Sequence, residues 1–180
     1  ADRAGAHVIR LPKNSGTSAA RNVGIHAASS DAIAWLDSDD CWEPQHLSVV
    51  ATLLDTYPEA AVASAAIRLF GTRSEIWYDR LPDGPPTNIL RQAFYSTPVA
   101  MITSVVRRDA LLAVGGFDES ERWAEDFDLW LRLAHRYRFV GSREITANYR
   151  WHPGQLSTDP VNQWEATYRV RRRFLDGLGE

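Results

Sequence analysis

A short apolar strand runs directly into three carboxylates in the sequence Ala32-Ile33-Ala34-Trp35-Leu36-Asp37-Ser38-Asp39-Asp40. Carboxylates this close repel one another, and a bound cation or basic groups must offset that cost. Hard oxygen ligands of this kind suit Mg²⁺, Mn²⁺ or Ca²⁺. In open α/β sheets, ligands bind at the carboxyl ends of strands, which is where these acids lie. The sequence therefore predicts a divalent metal that holds a phosphate-bearing ligand; a solvated acidic turn is the alternative.

The composition is typical of a single globular domain. The chain has 180 residues, of which 44% are hydrophobic, enough for one core. A net charge of -3, with scattered basic residues, argues against nucleic acid as a partner. The single cysteine, Cys41, excludes an internal disulfide, and no apolar run is long enough to span a membrane. These features predict a cytoplasmic protein.

Apolar periodicity and chain breakers predict alternating strands and helices. Strands are expected at 7–11, 32–36, 60–70, 101–106 and within 139–149. Helices are expected at 17–30, 44–57, 87–94, 109–112, from 123 onward and at 162–175. This alternation predicts an α/β domain in which helices flank a largely parallel sheet.

A turn of small and polar residues precedes the first predicted helix, in the sequence Asn14-Ser15-Gly16-Thr17-Ser18. Thr17 or Ser18 can cap the helix, and backbone N–H groups at a helix N-terminus bind anions. Arg21, one turn further, adds a charged fork that suits phosphate. The turn is thus a candidate anion site, although such turns also serve simply as connections.

Two further sets of polar residues have both a functional and a structural interpretation. Glu125 and Asp126 fall in the first turn of a predicted helix, where the helix dipole stabilises negative charge and acids are ordinary caps. Burial beside Trp123 or Trp130 would oppose that stabilisation. His152 lies in a predicted polar loop at 150–157, where a solvated histidine is the simple alternative to a ligand.

Four separated segments, taken in order, resemble the family 2 glycosyltransferases of the GT-A fold. They are Asn14-Ser15-Gly16-Thr17-Ser18-Ala19-Ala20-Arg21-Asn22, Leu36-Asp37-Ser38-Asp39-Asp40-Cys41-Trp42-Glu43-Pro44, Gly115-Gly116-Phe117-Asp118 followed by Glu125-Asp126, and Tyr149-Arg150-Trp151-His152. The resemblance covers residues 8 to 157. The Asp-x-Asp element alone has little specificity, whereas the ordered set is highly specific.

The resemblance implies a Rossmann-like GT-A fold and an inverting, metal-dependent transfer of a sugar to a carbohydrate, lipid-linked or other hydroxyl acceptor. It implies Mg²⁺ or Mn²⁺ as cofactor and a nucleotide-diphosphate sugar as donor. The implied roles are Asp39 as metal ligand, Asp37 at the metal and donor ribose, His152 at the metal or diphosphate, Asp126 as catalytic base beside Glu125, and Arg21, Asn14, Gly115 and Gly116 on the donor side.

The resemblance also suggests how the chain is divided. Residues 1–114 would bind donor and metal, 115–160 would hold the acceptor and catalytic groups, and 161–180 would form a C-terminal helix. The basic patch of that helix is a solvated face or a contact with an anionic membrane surface; its members are Arg169, Arg171, Arg172 and Arg173.

One departure from the family pattern concerns the start of the chain. The family usually begins with a strand, a helix and a second strand that hold the nucleotide base, and no counterpart precedes Ala1. The expectation is therefore a GT-A domain that is truncated at its N-terminus. Two rival hypotheses are a sugar-phosphate nucleotidyltransferase and a non-catalytic, nucleotide-binding remnant.

Overall fold

The structure is a computed structural model that describes residues 5–77, 81, 83–153 and 159–179. Its strands are β1 (Ala32–Ala34), β2 (Cys41–Trp42), β3 (Ala60–Gly71), β4 (Ile76–Trp77), β5 (Val105–Arg107) and β6 (Arg138–Trp151). Its helices are α1 (Gly16–Ala27), α2 (His46–Thr56), α3 (Leu90–Tyr95), α4 (Arg108–Ala113), α5 (Glu125–Arg136) and α6 (Pro160–Gly177), with a 3₁₀ turn at Met101–Thr103.

The strands form one sheet in the order β1-β5-β3-β6-β2, and β4 pairs with β3. The predicted α/β architecture is confirmed, but the sheet is mixed rather than largely parallel. Strand β6 pairs parallel with β3, whereas β5 is antiparallel to both β1 and β3 and β2 is antiparallel to β6. The strand–helix alternation did not reveal this. The connection from β3 to β5 re-enters the sheet at the same end of the strands at which it left, as an antiparallel pair allows, instead of crossing to the opposite end.

The direction of three strands determines where the polar residues meet. Strands β1, β3 and β6 all run the same way, since β5 is antiparallel to β1 and β3 while β6 is parallel to β3. Their carboxyl ends therefore share one edge of the sheet. The acids that follow β1 and the residues that end β6 lie at that edge.

The core explains the composition of β3. Its first eight residues are all buried, and six of the ten from Ala60 to Leu69 are alanine or serine, so helices can pack closely on both faces. The larger cluster joins Val62 and Val106 to buried residues of α5 such as Phe127 and Trp130. A smaller cluster lies beneath α2 and includes Val50 and Leu54. Helix α5 is thereby fixed against the sheet, which holds its first residues near the polar edge.

Most predicted elements are present with shifted ends. The prediction of a strand at 7–11 is wrong, because these residues form no strand and Val8 and Ile9 are exposed. Strand β6 is a single strand that includes Arg150 and Trp151, which were predicted to be loop. Residues 154–157 of that loop and Pro82 lie outside the described residues. No helix in the described part of the chain is both long and apolar enough to cross a membrane.

The predicted basic patch on α6 mostly binds other parts of the protein. Arg171 donates to the carbonyl oxygens of Phe94 and Tyr95, and Arg169 pairs with Glu121. Arg173 pairs with Asp118 and Asp128. These contacts make the patch a means of attaching α6, and membrane contact through it stays a prediction.

Candidate active site

Two segments that are far apart in sequence form the centre of the polar edge. Asp37, Asp39 and Asp40 follow β1, while Arg150 and His152 come from the end of β6. Arg150 donates its backbone N–H to an oxygen of Asp40 across a sequence separation of 110 residues. The shared direction of β1 and β6 places both ends at one edge of the sheet, and the pairing of β2 with β6 brings Asp40 beside Arg150.

Asp39 and His152, two of the predicted metal ligands, lie close together at this edge. His152 Nε2 lies 3.5 Å from Asp39 Oδ2, and the two side chains are 42% and 48% exposed. An imidazole nitrogen and a carboxylate oxygen both suit Mn²⁺, and carboxylate suits Mg²⁺. No group of three or more His, Cys, Asp or Glu side chains converges within the described residues.

Asp40 is buried behind this pair, at 8% exposure. Its Oδ1 accepts the backbone N–H of Arg150 at 2.7 Å. Burial, assisted by the charges of Asp39 and Asp37, raises the pKa of Asp40 to about 6 despite that hydrogen bond. Arg150 in turn donates Nε to the Asp39 carbonyl at 2.9 Å, and its guanidinium lies 4.5 Å from the centre of the Phe70 ring.

Arg21 connects the acids after β1 with the start of α5. Its Nη2 donates to both oxygens of Asp37 at 3.1 and 3.2 Å, and its Nη1 donates to Glu125 Oε1 at 3.2 Å. The guanidinium stacks on Phe117, 5.4 Å from the ring centre, and the side chain is only 12% exposed. Asp37 is therefore held by Arg21, while Asp39 faces His152.

Glu125 and Asp126 are the first two residues of α5. Burial raises the pKa of Asp126, although the Phe127 N–H donates to its Oδ1 at 2.6 Å. Burial also raises the pKa of Glu125, with a further contribution from the charge of Asp126. The helix dipole alone would lower both values, so desolvation outweighs it here. A carboxylate with a raised pKa is a stronger base, which is what a proton acceptor requires.

Gly116 approaches α1, and Asn14 lies just before that helix. Gly115 and Gly116 have φ of 82° and 68° and end α4. Asn22 of α1 brackets the next residue, accepting the Phe117 N–H at 2.8 Å and donating to the Phe117 carbonyl at 2.9 Å. Asn14 accepts the Gly16 N–H at 3.0 Å, while the N-cap of α1 is Ser15 rather than the predicted Thr17 or Ser18. A role in donor binding for these three predicted residues stays a prediction.

Four residues of the site belong to the motifs, but the sequence predicted no role for them. Asp40 and Arg150 join the two segments, while Asn22 and Phe117 connect α1 to the segment before α5. The one available signal was position, because each is adjacent to a predicted site residue or lies two residues away.

Comparison with known proteins finds that the chain is similar to glycosyltransferases. The family model described as "Glycosyl transferase family 2" matches residues 1–115. The chain is 26% identical over 126 residues to the amylovoran biosynthesis glycosyltransferase AmsE of Erwinia amylovora. The aligned residues cover 70% of this chain and 47% of AmsE. It is 33% identical over 177 residues to the uncharacterized glycosyltransferase YwdF of Bacillus subtilis, covering 96% of this chain and 63% of YwdF.

Solved structures show the same fold. The S. aureus protein TarS in complex with UDP-GlcNAc superimposes with a TM-score of 0.73 at 20% identity, covering 91% of this chain and 48% of the TarS chain. The mannosyltransferase PcManGT of Pyrobaculum calidifontis, in complex with GDP-Man and Mn²⁺, gives a TM-score of 0.65 at 14% identity, covering 97% of this chain and 47% of that chain. The chain spans about half the length of the curated relatives it matches. The predicted GT-A fold is confirmed.

Proposed function

The chain belongs to glycosyl transferase family 2, and on that premise we propose that it transfers a sugar from a nucleoside-diphosphate donor to an acceptor hydroxyl. The transfer inverts the anomeric carbon and uses Mg²⁺ or Mn²⁺, and the acceptor is a carbohydrate or lipid-linked hydroxyl. The observation that carries the proposal is the 3.5 Å approach of His152 Nε2 to Asp39 Oδ2 at the carboxyl edge of the sheet.

Asp39 and His152 are the residues that would hold the metal, with diphosphate oxygens completing its ligands. When bound, the metal neutralises the negative charge that develops on the departing diphosphate. Asp37 would contact the donor ribose. The 3.1 Å ion pair with Arg21 keeps the Asp37 carboxylate in place. The complexes of TarS with UDP-GlcNAc and of PcManGT with GDP-Man and Mn²⁺ support a nucleotide sugar as donor.

Asp126 would take the proton from the acceptor hydroxyl as that oxygen bonds to the sugar. Its raised pKa supports this role, because a base works best when its pKa approaches the working pH. Glu125 is held by Arg21 at 3.2 Å and is the less available of the two. The proposed base and the proposed metal ligands lie on separate elements, α5 and the β1–β6 edge, which is compatible with the opposite faces that inversion needs. Asn14, Gly115 and Gly116 would shape the donor side through α1.

A panel of UDP- and GDP-sugars with Mn²⁺ tests the proposal, read by thermal shift and by release of nucleoside diphosphate. We expect one donor to stabilise the chain and to release its diphosphate only when Mn²⁺ is present. Asp39→Ala should abolish both effects, whereas the matched Ser38→Ala, which removes no carboxylate, should retain them.

The panel also separates the rival functions. Metal-dependent binding without any release would indicate a nucleotide-binding domain that does not transfer. Formation of free diphosphate from a nucleoside triphosphate and a sugar phosphate would indicate a nucleotidyltransferase. Donor binding that is the same in Asp39→Ala as in the unmodified chain would contradict the metal assignment.

A further inference from the structure

We propose that Asp40 is a positioning residue that makes the two halves of the diphosphate site meet: its buried carboxylate fixes the end of β6 so that His152 faces Asp39. The inference rests on the proposed function and adds to it a residue that touches neither the metal nor the donor.

The backbone pairing between β2 and β6 stops next to the acidic loop. Strand β2 pairs with β6 only through Cys41 with Asn148 and Trp42 with Ala147. Continuing that register would place Asp39 opposite Arg150. There the Asp40 side chain replaces the backbone acceptor, because its Oδ1 accepts the Arg150 N–H at 2.7 Å.

A reciprocal bond closes the same junction. Arg150 Nε donates to the Asp39 carbonyl oxygen at 2.9 Å, so each segment binds the backbone of the other through one side chain. The guanidinium also lies over the Phe70 ring of β3, at 4.5 Å from its centre. We call these contacts of Asp40, Arg150 and the Asp39 backbone the Asp40 clamp. It attaches the acidic loop to the central strands.

The clamp lies between the two predicted metal ligands. Asp39 immediately precedes Asp40, and His152 follows Arg150 by two residues. The side chains of Asp39 and His152 are 48% and 42% exposed, so packing restrains them less than it restrains the buried Asp40. Fixing the backbone on both sides therefore limits how far the two ligands can separate. Groups behind a metal's direct ligands typically change metal affinity by about 10–100-fold when removed.

A double-mutant cycle on the full chain tests the clamp, with Mn²⁺ plus UDP and, separately, Mn²⁺ plus GDP as probes. Affinity is measured by calorimetry, and histidine ligation is detected as a nitrogen coupling to Mn²⁺ in pulsed electron paramagnetic resonance. Asp40→Ala should weaken Mn²⁺-dependent binding about 10-fold and abolish the nitrogen coupling. Asp40→Asn should retain both, because the amide oxygen still accepts the Arg150 N–H.

Three further variants make the result specific. In a His152→Ala background, Asp40→Ala should cause no additional loss, since the clamp acts through His152. Asp83→Ala is the matched control, because Asp83 Oδ1 also accepts a β6 backbone N–H, that of Arg143 at 2.7 Å, elsewhere on the strand. It should leave affinity and nitrogen coupling unchanged. If Asp40→Ala does not fold, Arg150→Met removes the reciprocal bond at an exposed residue and should abolish the same coupling.

The outcomes distinguish the clamp from the proposed function. Retention of nitrogen coupling and affinity in both Asp40→Ala and Arg150→Met overturns the clamp and leaves the proposed function intact. Additive losses in Asp40→Ala and His152→Ala also overturn it, because they would indicate a general effect on stability. Absence of any Mn²⁺-dependent nucleotide binding by the unmodified chain overturns both proposals.

Discussion

Asp126 experiences two opposed effects at the start of α5. The helix N-terminus favours its charged form, while burial favours the neutral form and raises its pKa. Glu125 beside it also has a raised pKa because of burial, yet its carboxylate is paired with Arg21. Glu125 is thus paired with a cation, whereas Asp126 accepts a backbone N–H, which is why we propose Asp126 as the base.

The first prediction concerns that base. Asp126→Asn keeps the size of the side chain and an oxygen for the Phe127 N–H but removes the proton acceptor. Turnover should fall by about 10²–10⁴-fold, the usual contribution of general base catalysis, while donor affinity stays near normal. Single-turnover kinetics and calorimetry separate the two quantities. Glu125→Gln is the comparison and should lower turnover less than Asp126→Asn does. Normal turnover in both variants would place the base elsewhere.

His46 is a buried titratable residue outside the candidate site. It begins α2, stacks on Trp42 at 4.5 Å between ring centres, and places Nδ1 2.9 Å from Thr146 Oγ1. Its Nε2 is buried and has no hydrogen-bond partner among the described residues. Burial lowers the pKa of His46 to about 4, because a protonated ring there would lose its hydration.

The second prediction follows from the sign of that shift. The unfolded chain protonates His46 near pH 6.5 and the folded chain only near 4, so the unfolded state gains protons first as the pH falls. As the pH falls from 6.5 to about 4, His46 therefore lowers the free energy of unfolding by on the order of 3 kcal/mol in total. Across this pH range, denaturation should show that the free energy of unfolding falls less in His46→Gln than in the unmodified chain. Parallel pH profiles for the two would contradict the burial effect.

At the scale of elements, the contact between α1 and the turn after α4 depends on a glycine. Gly116 has a φ of 68°, and a Cβ atom added there would lie 2.6 Å from Asn22 Oδ1. That oxygen accepts the Phe117 N–H, so it cannot move without breaking the bond. Gly115 also has a positive φ, of 82°, but an added Cβ would meet open space.

The third prediction uses this difference. Gly116→Ala should destabilise the chain more than Gly115→Ala, because backbone strain of about 1 kcal/mol applies to both and the clash applies only to Gly116. Equilibrium unfolding in urea measures both variants. Adding Asn22→Ala should recover part of the loss in Gly116→Ala but none in Gly115→Ala. Equal destabilisation of the two glycine variants would mean that strain alone matters.

At the scale of the whole molecule, charged contacts attach α6 to α5 and to the segment before it. Asp128 is 4% exposed and accepts hydrogen bonds from Arg132 at 2.6 Å and from Arg173 at 2.7 Å. Arg173 also pairs with Asp118 at 2.8 Å. A buried carboxylate that loses a partner is costly, so Arg173 should contribute more to stability than an exposed arginine.

The fourth prediction tests this attachment with neighbouring arginines. Arg173→Ala should lower the free energy of unfolding by about 1–3 kcal/mol, since it removes one of the two cationic partners of Asp128. Arg172→Ala is the control at an exposed position and should change stability by less than about 0.5 kcal/mol. Chemical denaturation compares the two. A similar loss from both variants would mean that helix propensity, rather than the buried pair, accounts for it.

The sequence alone determined the features that depend on short-range patterns. Apolar periodicity and turn residues placed most helices, the long strand β3 and the α/β class, because each acts over a few consecutive residues. The acids after β1 and the order of four motifs sufficed to indicate the family. The wrong strand at 7–11 has the same origin, since a short apolar run suits a strand but pairing requires a neighbouring strand.

The tertiary structure alone decided what depends on distant segments and on burial. Three features depend on contacts between residues that are far apart in sequence. They are the 3.5 Å approach of His152 to Asp39, the hydrogen bond from Arg150 to Asp40 and the mixed direction of the strands. The raised pKa values of Glu125 and Asp126 likewise depend on what packs around α5, whereas the helix dipole was visible in the sequence. Desolvation is set by the complete environment of a side chain, so no local pattern reports it.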